Sequence, residues 1–305
     1  MKIVKRCSMG MNILAILRND KEKKVVIVMP NYIPYLILTI VSIIILIFVI
    51  FSKRQFGLIV LFLGFSGLVY VAEFLVMVIG NCYVYYPNIL SVQYYNNILG
   101  AIVSNLFVIP VLGLVAAVYQ LRLRWLVLFV GTLVGIEWLF EWLAIYHTNW
   151  WRKGYTFVFV LLFFMVTKFW VRAIQSGAKW SQFLMLWMQA WGGASTVMYI
   201  MSITFIRYYE FGVFENIYRD NIFISAIMGL LKGLIFTVAV IIIRKPHWRF
   251  LAPILVFGID MPLYYFGILV VEIPFWIYTI VYFVLATLLL WWTQYAYSII
   301  AKMAR

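Results

Sequence analysis

Apolar positions in this chain come in long unbroken runs, without the alternation of a half-buried strand. About nine such runs reach the roughly 20 residues that a helix needs to cross a hydrocarbon core. They cover about 33–52, 57–80, 98–119, 123–146, 154–173, 180–206, 220–243, 250–272 and 275–299. With no period of two inside them, a transmembrane β-barrel is a poor fit. The expectation is an all-α integral membrane protein of about nine transmembrane helices. It sits in the lipid bilayer as a multi-pass protein, with a bacterial plasma membrane as the expected location.

A second pattern overlies the first. Y-Y-N-N-I-L-G from Tyr94, an apolar run through Pro110, a basic corner Q-L-R-L-R and G-I-E-W-L-F from Gly135 follow one another. Later come Y-R-D-N-I-F-I from Tyr218, an apolar run, a basic corner R-K-P-H-W-R and G-I-D-M-P-L from Gly258. Asn97 lies over Asn221 and, allowing one deletion, Glu137 lies over Asp260. The shifted register also carries Tyr155-Thr156 onto Tyr278-Thr279, and Tyr85-Tyr86 onto Tyr208-Tyr209. This divides the chain into a basic N-terminal segment (1–28), an isolated first span (29–55) and two four-helix repeats (56–176 and 177–305). An even number of spans per repeat makes the two copies enter the membrane from the same side, so the repeats are parallel.

Composition agrees with the span pattern: 66% of residues are hydrophobic and 11% charged, far from a soluble domain. A formal charge of +14 raises the question of nucleic acid. The basic residues sit at span ends and in the N-terminal segment, where they read as topology signals, so no nucleic-acid partner is expected. That segment carries Lys2, Lys5, Arg6, Arg18, Lys21, Lys23 and Lys24 around the apolar stretch Met9–Leu17. It reads either as an interfacial helix on anionic lipid or as a solvated leader. The loops after spans one, three, five and seven are more basic than those opposite, but the N-terminal segment offsets them and leaves orientation open. Cys7 and Cys82 form no metal or redox motif, and His147 and His247 fall on opposite sides, so no metal is expected.

Ionisable side chains inside spans are costly, and each is a site candidate. They are Glu73, Glu137, Glu141, Lys168, Lys232 and Asp260. Lys232 and Asp260 lie equally deep on consecutive spans, near the midplane, and are expected to pair. Glu137 and Glu141 share one helix face, and the Lys168 stem is long enough to reach Glu137. Such charges read either as static pairs locking helices or as coupling carboxylates. Gly-interrupted stretches lie at matching places in the halves: Gly64 and Gly67 in one, Gln189, Gly192, Gly193 and Ser195 in the other. They read as helix breaks around a midplane site or as close packing. The pairs Gly131/Gly135 and Gly229/Gly233 read as packing. Pro110, Pro253 and Pro262 are expected to kink their spans.

The stretch from Glu73 to Lys168 resembles a family of uncharacterised multi-spanning membrane proteins of spore-forming Firmicutes. The shared residues are N-N-I-L-G from Asn96, Pro110, G-I-E-W-L-F from Gly135, and Tyr146 followed by N-W-W-R-K from Asn149. The resemblance implies a lineage and no activity.

Three functions fit these features. A small-solute or ion transporter with a site between the repeats comes first. A non-catalytic scaffold or sensor subunit comes second. A membrane-embedded lipid-metabolising enzyme using Glu137 and Glu141 comes third, since Walker, G-x-S-x-G, H-E-x-x-H and Gly-rich dinucleotide motifs are missing from the sequence. No catalytic residue or cofactor is expected.

Overall fold

A computed structural model describes residues 29–303. The basic segment 1–28, its proposed lipid contact and Cys7 lie outside the described residues. Among the described residues the architecture is 77% helical with no closed sheet. In chain order, α1 is Tyr32–Lys53 and α2 is Leu58–Glu73, which continues as a π-helical segment, Phe74–Ile79. Then β1 is Tyr83–Tyr85 and α3 is Gln93–Ile102, followed by a second π-helical segment, Val103–Val108, and α4, Ile109–Val118. Next come α5 (Leu123–Trp142), β2 (Tyr146–Thr148) and α6 (Lys153–Gln175). The remainder is α7 (Lys179–Ile203), β3 (Arg207–Tyr209), α8 (Ile217–Ile242), α9 (Leu251–Tyr265), β4 (Leu269–Val271) and α10 (Phe275–Met303).

Seven of these helical stretches are long and apolar enough to cross a membrane. The other two, α7 and α9, depart from the expected spans for different reasons. Helix α7 carries glycines, glutamines and serines along a length that protein covers on most sides, so it needs little lipid-facing hydropathy. The expected span at 250–272 stops at Tyr265, because Gly267 takes a left-handed turn (φ 73°) and residues 269–271 form β4. The expected 123–146 likewise ends at Trp142, and Tyr146 enters β2.

Four three-residue strands make two antiparallel ribbons, β1 with β2 and β3 with β4. They seat Tyr85 opposite Tyr146 and Tyr209 opposite Leu269. Each ribbon is anchored to the helix that follows its first strand. Asn97 Oδ1 accepts the Tyr85 N–H (2.8 Å) and Asn221 Oδ1 accepts the Tyr209 N–H (2.9 Å), each acceptor 12 residues after its donor. The preceding residues organise the intervening loops. Asn96 accepts from the Ile89 and Leu90 N–H groups, and Asp220 from those of Phe211, Gly212, Val213 and Phe214. These bonds match Tyr85 to Tyr209, one residue away from the register expected for Tyr85-Tyr86. The deletion therefore falls after Asn97 and Asn221, not before them. Asn221→Ala would orphan the N–H of fully buried Tyr209. It is expected to cost about 1–3 kcal/mol, measured by thermal unfolding in detergent, while Thr132→Ala on the exposed face of α5 stays within about 0.5 kcal/mol.

Helix α2 packs on α7, and α7 on α8, at the centre. Glycines permit this closeness. A Cβ on Gly67 would run into the Met188 carbonyl, and one on Gly233 would lie 2.7 Å from the Trp191 nitrogen. Trp187 and Trp191 donate across to the carbonyls of Leu230 and Ala226 (both 3.0 Å). The expected helix breaks at Gly64, Gly67, Gln189, Gly192, Gly193 and Ser195 are thus corrected: α2 and α7 run through them unbroken. Their small side chains admit a neighbouring backbone. Conversely, nothing lies within 4 Å of a Cβ on Gly131 or Gly135, so that pair is not a packing seam among the described residues. The backbone irregularities lie instead in the two π-helical segments. The second precedes Pro110, which cannot donate to the Leu106 carbonyl; Ser66 Oγ on α2 supplies that bond (3.2 Å).

Candidate functional site

The structure separates the six candidate ionisable groups into surface, cap and buried positions. Glu141, at the end of α5, forms a close ion pair with Lys153, and Thr148 Oγ1 donates to it at 3.2 Å. Both partners are about one-third exposed, so this is a surface contact. Lys168 does not reach Glu137. Its ammonium donates instead to the Leu121 carbonyl between α4 and α5 (2.6 Å), since the long stem carries the charge away from the level of its own Cα. Glu137 accepts a long bond from the Tyr146 hydroxyl (3.4 Å), and its other oxygen has no partner among the described residues.

Lys232 on α8 and Asp260 on α9 pair as their equal depths implied, Nζ to Oδ2 at 2.5 Å. Their side chains are 6% and 0% exposed. Tyr209 closes the arrangement. Its hydroxyl donates to Asp260 Oδ1 (3.2 Å) and lies 3.5 Å from Lys232 Nζ. Arg207, from the same strand, is 1% exposed and lies over the Tyr209 ring at 4.7 Å. The run R-Y-Y lies between the expected spans 180–206 and 220–243; as a strand it turns Arg207 and Tyr209 to one face and Tyr208 to the other.

Glu73 occupies a different setting. It is the last residue of α2 before the π-helical widening, and Tyr83 of β1 donates to its Oε2 at 2.7 Å. Its Oε1 is buried and has no partner among the described residues. It borders a cavity of about 100 Å³ lined by α2 with its π segment, α3 with its π segment, α7 and α8. Besides Glu73, the polar side chains there include Tyr70, Asn105, Ser195, Thr196, Tyr199 and Ser225, and the Ser195 hydroxyl is also buried without a partner. At about 30 Å³ per water, the space holds roughly three water-sized particles. π-Helical turns inside longer helices recur at functional sites, because the extra residue redirects side chains. Here two of them face one cavity.

The mouth of this region is built from capping contacts. Arg219 donates to the carbonyls of Val78 and Ile79 (2.9 and 3.0 Å), closing the end of the first π segment. The N-W-W-R-K element docks beside it. Asn149 Nδ2 donates to the Asn81 carbonyl (2.7 Å) and Trp150 Nε1 to the Gly80 carbonyl (2.9 Å). Cys82 is buried between them, and its thiol is pushed up to about 11 by burial first and by the Glu73 carboxylate second. Tyr83, Asn105 and Arg207 were not singled out from the sequence. Tyr83 and Arg207 stand at matching places in the two ribbons, so the Asn97/Asn221 alignment is the signal that could have found them. Among the described residues, no group of three His, Cys, Asp or Glu side chains is placed to hold a metal ion.

No family model, curated protein or solved structure matches this chain.

Proposed function

We propose that this polytopic membrane protein binds and carries a small cation, or a small protonated solute, at Glu73 between two halves of duplicated origin. The observation that carries the reading is the Glu73 carboxylate itself. One oxygen is fixed by Tyr83, and the other is buried without a partner among the described residues at the border of the cavity between α2, α3, α7 and α8. A carboxylate facing an apolar-walled space needs a proton or a cation there. Asn105, Ser195 and Thr196 offer further oxygens to complete its shell. The matched ribbons and the Asn97 and Asn221 anchors support a duplication. The cavity lies where α2 with α3 meets α7 with α8, the place of substrate sites in repeat-built transporters. The midplane charges first considered for this role fit it less well, since Asp260 and Lys232 satisfy each other and serve as a brace. We also place the chain, on the N-N-I-L-G and N-W-W-R-K residues, in the Firmicutes lineage that it resembles.

Protein reconstituted in liposomes is expected to take up radiolabelled sodium or methylammonium under an inward gradient. Glu73→Gln should lower uptake at least tenfold, while Glu141→Gln at the surface should leave it within twofold. Wild-type liposomes that admit neither probe, with the fold intact by size-exclusion chromatography, would replace transport by the scaffold reading, which the closed Lys232–Asp260 pair favours.

A further inference from the structure

The second half contains a separate cavity, of about 40 Å³, against α7, α8, α9 and α10. Its position mirrors part of the first. Tyr70, Glu73, Phe74 and Met77 of α2 line one cavity, and Ala194, Val197, Met198 and Met201 of α7 line the other. Each set of four stands in the same sequence relation to its own anchored tyrosine, Tyr85 or Tyr209. The chemistry is reversed between them. Glu73 is replaced by Val197, and the Tyr83 that holds Glu73 is replaced by Arg207.

Apart from Tyr282, the polar residues lining this second cavity are Arg207 and Lys232. Arg207 Nε and Nη1 are buried with no acceptor among the described residues. Asp260 supplies none for them: its Oδ2 takes the Lys232 ammonium and its Oδ1 takes the Tyr209 hydroxyl. Asp220 is occupied by backbone N–H groups of residues 211–214, and Glu210 and Glu272 are exposed at the ribbon's edge. Two buried cations therefore face one buried carboxylate. A guanidinium out of water with unmet N–H groups, and with its one nearby carboxylate already shared with a lysine, is disfavoured.

We propose that this cavity binds one small inorganic monovalent anion, of halide size, between the Arg207 guanidinium and the Lys232 ammonium. The volume sets the class. At about 30 Å³ for a water, roughly one such particle fits, and a phosphate or an organic carboxylate does not. Arg207 turns one of its unpartnered N–H groups to the anion, and Lys232 turns toward it whichever proton Asp260 and Tyr209 leave unused. The remaining walls, Val197, Met198, Leu285 and Leu289 among them, are apolar and favour a weakly hydrated ion. The bound anion neutralises the excess charge beneath the second ribbon and stabilises the packing of α7 against α10. The site is separate from Glu73 and does not depend on transport.

The test uses the full-length protein in neutral detergent, unfolded thermally in sodium chloride, bromide or gluconate at one fixed ionic strength. The expected result is a saturable rise in Tm of several degrees in chloride and bromide over gluconate, because a ligand of the native state stabilises by mass action. Arg207→Gln should abolish that difference. Should this variant fail to fold, crystals of the wild type grown in bromide decide the matter by anomalous scattering, with a peak expected within hydrogen-bonding distance of Arg207. Equal Tm values in all three salts, a difference that persists in Arg207→Gln, or a bromide crystal without a peak at Arg207 would each overturn the proposal.

Discussion

Asp260→Ala is expected to lower the free energy of unfolding by about 3–5 kcal/mol, the usual cost of removing one partner of a buried ion pair. The substitution leaves Lys232 without its 2.5 Å partner in a site where the lysine side chain is only 6% exposed. It also removes the acceptor of the Tyr209 hydroxyl and the nearest negative charge to Arg207. Two cations would then share one desolvated space. Replacing both members, Asp260→Leu with Lys232→Met, should recover most of the loss. The net charge of the cluster is then that of the wild type, and two desolvation penalties disappear. Chemical denaturation in micelles of the single and double variants gives the coupling directly. An Asp260→Ala protein as stable as the wild type would mean that water reaches the pair, and the brace assigned to it would be wrong. In that case Asp260 regains its claim as a coupling carboxylate.

The ease with which this pair was read from sequence has a physical reason. Helical rise converts residue number into depth, so two groups counted from the same membrane face must lie level if their helices are straight there. The same arithmetic failed for Lys168, whose flexible stem makes the charge's depth independent of its Cα. It also undervalued Glu73. Counted along α2 this residue is close to one face, but the π-helical turn after it and the folded-in β1 strand enclose it. Neither feature has a strong sequence signature. A π turn differs from an α turn by one residue, and strands of three residues are too short for a period of two to register. Long-range identity proved more informative than local pattern. Asn97 and Asn221 align in the sequence, and each holds a strand N–H. For the glycines of α2 and α7 the sequence leaves two physical roles open, helix break or close packing. Gly64, Gly67 and Gly233 meet neighbouring helices, whereas Gly131 and Gly135 face open space. Spacing alone does not say which face of a helix a neighbour occupies, so sequence could not separate the two pairs.

Gly67→Ala is the change expected to disturb the α2–α7 contact most. The added methyl points at the Met188 carbonyl carbon and oxygen, which belong to the backbone of a continuous helix and have no rotamer to yield. Relief requires α2 and α7 to move apart. On the other side of α7 that movement is resisted, because Gly229 and Gly233 already let α8 approach Ser195 and Trp191 closely. Membrane helices gain little hydrophobic drive for association, so lost van der Waals contact along such a seam is not made up elsewhere. The expected cost is about 1–3 kcal/mol, typical of overpacking. Gly131→Ala is the matched control on α5: with nothing within 4 Å of the new Cβ, it should be neutral or stabilise by up to about 1 kcal/mol through helix propensity. The pair of variants also bears on function. Tyr70 and Glu73 ride on α2, and Trp191, Ser195 and Thr196 on α7, so prying the helices apart enlarges the Glu73 cavity. Gly67→Ala protein that remains folded should therefore lose selectivity between sodium and methylammonium. Unchanged stability and selectivity would show that the α2–α7 seam does not set the dimensions of the site.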